Sequence, residues 1–229
     1  MNTKLILSFL KDVAENNNRP WFQEHRSEYL AAKDDFEQGV AKAIGTIAEF
    51  DPSIAHISVH DASYRFYRDT RFSPDKSPYK RHLGAYIAAH GKKALHGGYY
   101  LHIEPGNCLL ACGSYCLPTQ ILTACRNEII SNIDEWLSCV QSTGFLRWFG
   151  RPGDHGDHGF GLAHLKTCPA GFPRDFEHIE YLRMKDYCCW VNVPDSFFQG
   201  DSWLPRMADV FASAKPMLDF TNAVIDDYE

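Results

Sequence analysis

The chain has 229 residues, of which 45% are hydrophobic, 14% aromatic and 23% charged; that is enough apolar material for one substantial core and excludes a disordered polypeptide. No apolar run, the stretch of Leu5 to Leu7 with Phe9 and Leu10 close by included, approaches the ~20 residues that cross a bilayer, so no membrane role is expected. The formal charge is −6, yet residues 64–93 hold eight Lys/Arg against two Asp. An acidic body with one basic segment argues against general nucleic-acid affinity, which needs a broad basic surface, and leaves room for a local anion site.

Thr3 to Glu15 reads as a short helix, with Leu5, Phe9, Leu10 and Val13 at helical spacing. Asn16-Asn17-Asn18 stops it. Pro20 suits a first helical turn, and residues 21–50 continue the pattern through Phe22, Tyr29, Phe36, Val40, Ile44 and Ile47. From residue 54 to 111 the period shifts toward two. Ile57 and Val59, then Tyr64 and Phe66, predict a first strand with a break near Asp61-Ala62. Leu83, Ala85 and Ile87 mark a second, Tyr99, Leu101 and Ile103 a third, and residues 108–111 a fourth after the Pro105-Gly106-Asn107 turn. Short turns imply antiparallel hairpins.

Helices resume after Pro118 and again over residues 134–141, with Ser131 or Asn132 as cap. Residues 143–173, rich in glycine and histidine, read as a long, partly ordered excursion. A short helix over 175–184, a strand over Tyr187–Val193 and a final helix over 204–224, kinked at Pro216, complete the pattern. Helices flanking an antiparallel sheet make this an α+β fold, and with no repeat or long linker a single domain is expected. The first ten residues lack the apolar length of a secretory signal, so a cytoplasmic location is expected, with the eight cysteines reduced and mostly buried.

The segment from Arg65 to Arg81 is the most unusual. Its two acids, Asp69 and Asp75, cannot neutralise Arg65, Arg68, Arg71, Lys76, Lys80 and Arg81. Guanidinium and ammonium groups suit phosphate or carboxylate, while Pro74 and Pro78 stiffen the loop. If the cations converge, an external anion relieves their repulsion; the alternative is a salt-bridge network that only locks the loop. Arg68, Asp69, Arg71, Lys76, Tyr79, Lys80 and Tyr100 are the candidate ligand-binding residues. Tyr100, His102 and Glu104 share one strand face, where His102 and Glu104 form a candidate acid–base pair or two metal ligands. The plain alternative is a polar surface. No cofactor motif is evident and no metal is assigned; Cys108, Cys112 and Cys116 lie on or beside a strand and do not converge as a zinc site would. The loop from Arg151 to Gly159 reads as a polar glycine loop in preference to a metal grip. Ser73 and Ser77 lack a partnered base, and Trp21, Phe22 and Tyr29 read as core.

The run Arg68-Asp69-Thr70-Arg71-Phe72-Ser73, followed by Asp75-Lys76-Ser77-Pro78-Tyr79-Lys80, closely resembles the signature of an uncharacterised, largely bacterial family known as domain of unknown function 2461. Asn16 to Phe22, Gly98 to Gly106, Pro169 to Phe172 and Tyr181 to Lys185 fit in order. The chain departs from the family at Ala111 to Ser114, where glycines are usual, and at Ala170 and Arg183, where lysine is preferred. The resemblance implies kinship and no activity. The expected function is therefore binding, with or without processing, of a small anionic, phosphorylated ligand. The alternative is a non-catalytic module docking an acidic protein or a nucleic-acid end. Oligomeric state is left open.

Overall fold

The computed structural model describes residues 1–154 and 156–228. Helix α1 (Thr3–Glu15) is capped by the Asn2 side chain and buries Ile6, Phe9, Leu10 and Val13. The expected continuous helix after Asn18 is two: α2 (Arg19–Glu24) and α3 (Arg26–Ala48), separated at His25. The His25 ring stacks on Trp21 at 4.1 Å and its Nδ1 lies 2.9 Å from the Trp21 carbonyl, satisfying a helix-end acceptor at the break.

The expected first strand is replaced by a short helix, α4 (Val59–Ala62). Ser58 Oγ accepts from the Asp61 N–H at 3.2 Å and donates to the Asp61 carboxylate at 2.6 Å, a reciprocal cap that outweighs an alternation only two apolar residues long. Beyond it the chain is extended and pairs with the sheet through the isolated bridge Ser63–Ala85.

The sheet contains β1 (Leu83–Ile87), β2 (Gly98–Ile103) and β3 (Cys108–Ser114), all joined antiparallel. Helices α5 (Thr119–Ser131), α6 (Ile133–Val140) and α7 (Thr143–Phe149) follow. The supposed excursion thus begins with a helix, capped by Ser142, and it also supplies β4 (His158–Phe160). Helix α8 (Ile179–Arg183), β5 (Tyr187–Val193) and α9 (Trp203–Asp226) complete the chain. Strand order is β1-β2-β3-β5-β4, antiparallel throughout. With helices at both ends, this is an α+β fold.

Alternation gives the sheet two unlike faces. One presents Leu83, Ala85, Ile87, Tyr99, Leu101, Ile103, Leu110 and Tyr187, all buried. Helix α9 packs across β3 on this side, and α3, α6 and α7 pack against α9 in turn. The other face presents Tyr86, Tyr100, His102, Leu109, Ala111, Gly113, Trp190 and Asn192 at paired positions of β1, β2, β3 and β5. Here most side chains are small or aromatic. Gly113 permits the close β3–β5 approach: a Cβ there would lie 2.0 Å from the Tyr187 carbonyl oxygen, and its φ of +125° suits glycine alone. None of the described helices is long and apolar enough to cross a membrane. The eight cysteines are free.

Candidate functional site

The cationic segment closes on itself. Arg68 N–H donates to Pro78 O at 2.9 Å and Lys80 N–H to Phe66 O at 3.0 Å, making a short ladder at its base. Asn17 clamps that base by exchanging two 3.0 Å hydrogen bonds with the Tyr79 backbone. Above it, Arg68 pairs with Asp75 at 2.5 Å and donates to the Ser77 carbonyl. Arg71 grips Asp69 with two nitrogens, Nη2 at 2.7 Å and Nε at 3.0 Å. The Lys76 ammonium donates to Thr70 O at 2.9 Å. Hydrogen bonds from Ser77 and then Arg68 hold the Asp75 carboxyl well below the usual carboxylate range. Tyr79 is 2% exposed and stacks on Phe22 at 4.0 Å, within an aromatic cluster that includes Phe66, Tyr67 and Tyr29.

Over the other face of the sheet lies a cavity of about 820 Å³. Its floor is Gly98, Ala111, Gly113 and Cys188, and its walls include Tyr64, Tyr86, Leu109 and Trp190. The Tyr86 hydroxyl is fixed 3.1 Å from both the His96 and Gly113 carbonyls. Two lysines stand at the rim against the Tyr64 ring, Lys80 at 5.1 Å and Lys92 at 5.7 Å, within cation–π reach. Lys92 donates to Ser63 O at 2.6 Å and His60 O at 3.1 Å. Lys80 has no acceptor or carboxylate partner among the described residues; burial, then repulsion from Arg65 and Lys92, pulls its pKa down.

A polar row occupies the β2 end of this face. Tyr100 Oη lies 2.8 Å from His102 Nδ1, His102 Nε2 lies 3.2 Å from Glu104 Oε2, and Asn107 donates to that oxygen at 2.7 Å. Burial drives the His102 pKa down in spite of Glu104. Burial alone would raise Glu104, but the hydrogen bonds from Asn107 and His102 prevail and hold it below its ordinary value. A neutral His102 beside an ionised Glu104 donates from Nε2 and accepts the Tyr100 hydroxyl proton at Nδ1. His82, just ahead of β1, packs its ring against His102 at 4.4 Å, tilted by 30°. Burial, then His102 and Lys80, lowers its pKa to about 4.

Gly84 makes this row possible. It pairs directly with His102, and a Cβ there would sit 2.7 Å from the Tyr100 hydroxyl; its bare backbone lets Tyr100 lean along the strand toward His102. The row can relay a proton between hydroxyl, imidazole and carboxylate, or offer imidazole and carboxylate lone pairs to a cation.

The expected residues therefore divide. Lys80 and Tyr100 line the cavity, with His102 and Glu104 beside them. Arg68, Asp69, Arg71 and Lys76 satisfy one another or the backbone within the loop, and Tyr79 is core. His82, Lys92, Asn107 and Trp190 were missed. His82 was accessible in principle: in a β1–β2 hairpin that pairs Leu83 with Ile103, it falls opposite Glu104 on the face of His102. Within the glycine loop, Asp154 accepts from the Arg151 N–H at 2.7 Å, and His155 lies outside the described residues.

An antiparallel sheet covered by helices on one face, with a cavity on the other, defines an α+β protein whose cavity falls in the size range of small-molecule pockets. The chain belongs to the family described as Conserved hypothetical protein (DUF2461), whose model matches residues 5–220. No curated protein and no solved structure matches it.

Proposed function

We propose that the protein binds a small phosphate monoester with an apolar, ring-sized body in the cavity on the open face of the sheet. The observation that carries this reading is Lys80, whose ammonium stands at the mouth of an aromatic-walled cavity of about 820 Å³ with no acidic partner among the described residues. Small-molecule sites typically enclose roughly 300–1,000 Å³ and combine apolar walls with few polar anchors. Tyr64, Tyr86, Leu109 and Trp190 supply the walls. A phosphate at Lys80 gains a charge-assisted hydrogen bond in a partly desolvated setting. Docking of an acidic partner on the loop would instead have to displace Asp69 and Asp75 from Arg71 and Arg68.

The test is calorimetric titration with 1-naphthyl phosphate, 1-naphthol and inorganic phosphate. The naphthyl ester binds saturably, and either half alone binds at least about tenfold more weakly, since each loses one class of contact. Lys80→Gln lowers affinity for the ester to that of 1-naphthol. Equal affinity for the ester in the native chain and Lys80→Gln, or no heat at all, overturns the reading.

A further inference from the structure

We propose that His82, His102 and Glu104 form a binding site for one divalent first-row transition-metal ion at the edge of the cavity. Their nearest imidazole nitrogens and carboxylate oxygen all lie within 4.8 Å of one another. Two ligands on one zinc-like ion at ~2.1 Å are at most ~4.2 Å apart, so closure needs side-chain shifts of about 1 Å. Two imidazoles and one carboxylate suit zinc, cobalt or ferrous ions; calcium and magnesium prefer oxygen.

Three further observations point to a cation here. Neither ring nitrogen of His82 hydrogen-bonds to a described residue, although the ring is half-buried against His102. Glu104 has no lysine or arginine within ion-pair distance among the described residues; its contacts are His102 and Asn107. The supporting shell is already built: Tyr100 fixes His102 through Nδ1, and Asn107 fixes the Glu104 carboxylate. Such outer contacts are what orient metal ligands. On binding, the His102 proton moves from Nε2 to Nδ1, which then donates to the Tyr100 oxygen. Nε2 offers its lone pair to the ion, and no net proton is lost from the ring. The ion would sit beside His82 and Asn107, both of which line the cavity.

The site stands without the anion reading, and its test uses the metal alone. The full chain, stripped with chelator, is titrated with Zn²⁺ and Co²⁺, with Mg²⁺ as control. One equivalent of Zn²⁺ binds, and Co²⁺ gives visible d–d bands without a thiolate charge-transfer band. Glu104→Gln and His82→Ala each weaken binding by more than tenfold, and Tyr100→Phe weakens it by about tenfold through the outer shell. Thermal melts confirm that at least Glu104→Gln remains folded. Thiolate bands, absence of saturable Zn²⁺ binding, or affinity unchanged in Glu104→Gln and His82→Ala overturns the proposal. So does loss only on Asp226→Asn, which would place the ion at the separate cluster of His90, His96 and Asp226.

Discussion

The loop tip, residues 68–76, and the open face of the sheet both gather positive charge, and they do opposite things with it. In the loop, Arg68 meets Asp75, Arg71 meets Asp69, and Lys76 meets a carbonyl. Each partner is within seven residues in sequence, so these three cations are engaged locally as the loop folds. On the sheet, Lys80 and Lys92 arrive from different segments, and their common neighbour is the face of Tyr64. A cation's capacity for a ligand depends on which groups surround it in space. Net charge counted along the chain does not report that.

The widest separation between the two regions concerns the fold itself. Gly113→Val puts a side chain into the Tyr187 backbone at the cavity floor; we expect a loss above about 4 kcal/mol by denaturant unfolding, or no soluble protein. No single substitution on the loop's exposed cations should approach that. Ligand affinity provides a second contrast. Lys80→Gln should cost the naphthyl ester about tenfold, the worth of one charge-assisted hydrogen bond, whereas Arg71→Gln should leave calorimetric affinity within about twofold, as expected of an exposed pair. Equal losses would dissolve the distinction.

Subtler is Gly84→Ala. The atom it meets is the far end of Tyr100, so stability should change little while the Tyr100–His102 contact opens. The His102 ring proton resonances should broaden relative to the native chain. The smallest effect is at Asp75→Asn, which should leave global stability and ester affinity nearly unchanged but raise the rate of proteolytic nicking within residues 68–78. Because the folded pKa of Asp75 is depressed, its contribution is present above the ordinary aspartate value of about 3.9 and fades as pH falls below it. Native loop protection should therefore hold from pH 7 to pH 4 and decline further down, a step absent from Asp75→Asn.

The sequence made the hairpins legible where alternation was long and the turn strong. Pro105-Gly106-Asn107 and the paired runs around Tyr99 and Cys108 set the β2–β3 register, and the same period put Tyr100, His102 and Glu104 on one face. The strand expected around Val59 failed because Ser58 and Asp61 cap a single helical turn. Helix α7 and strand β4 escaped because glycines and short lengths masked them; β4 has three residues and owes its pairing to β5. The cavity was illegible because alternation marks two faces without saying which one the helices cover. Long-range partners such as His82, Lys92 and Trp190 come together only through that choice.

The most direct measurement is a crystal structure of the full chain with 1-naphthyl phosphate. The account predicts ring density against Trp190 and Tyr86, with a phosphate oxygen about 3 Å from Lys80 Nζ. Density on the Arg68–Lys76 loop instead, with the cavity holding only solvent, would contradict it.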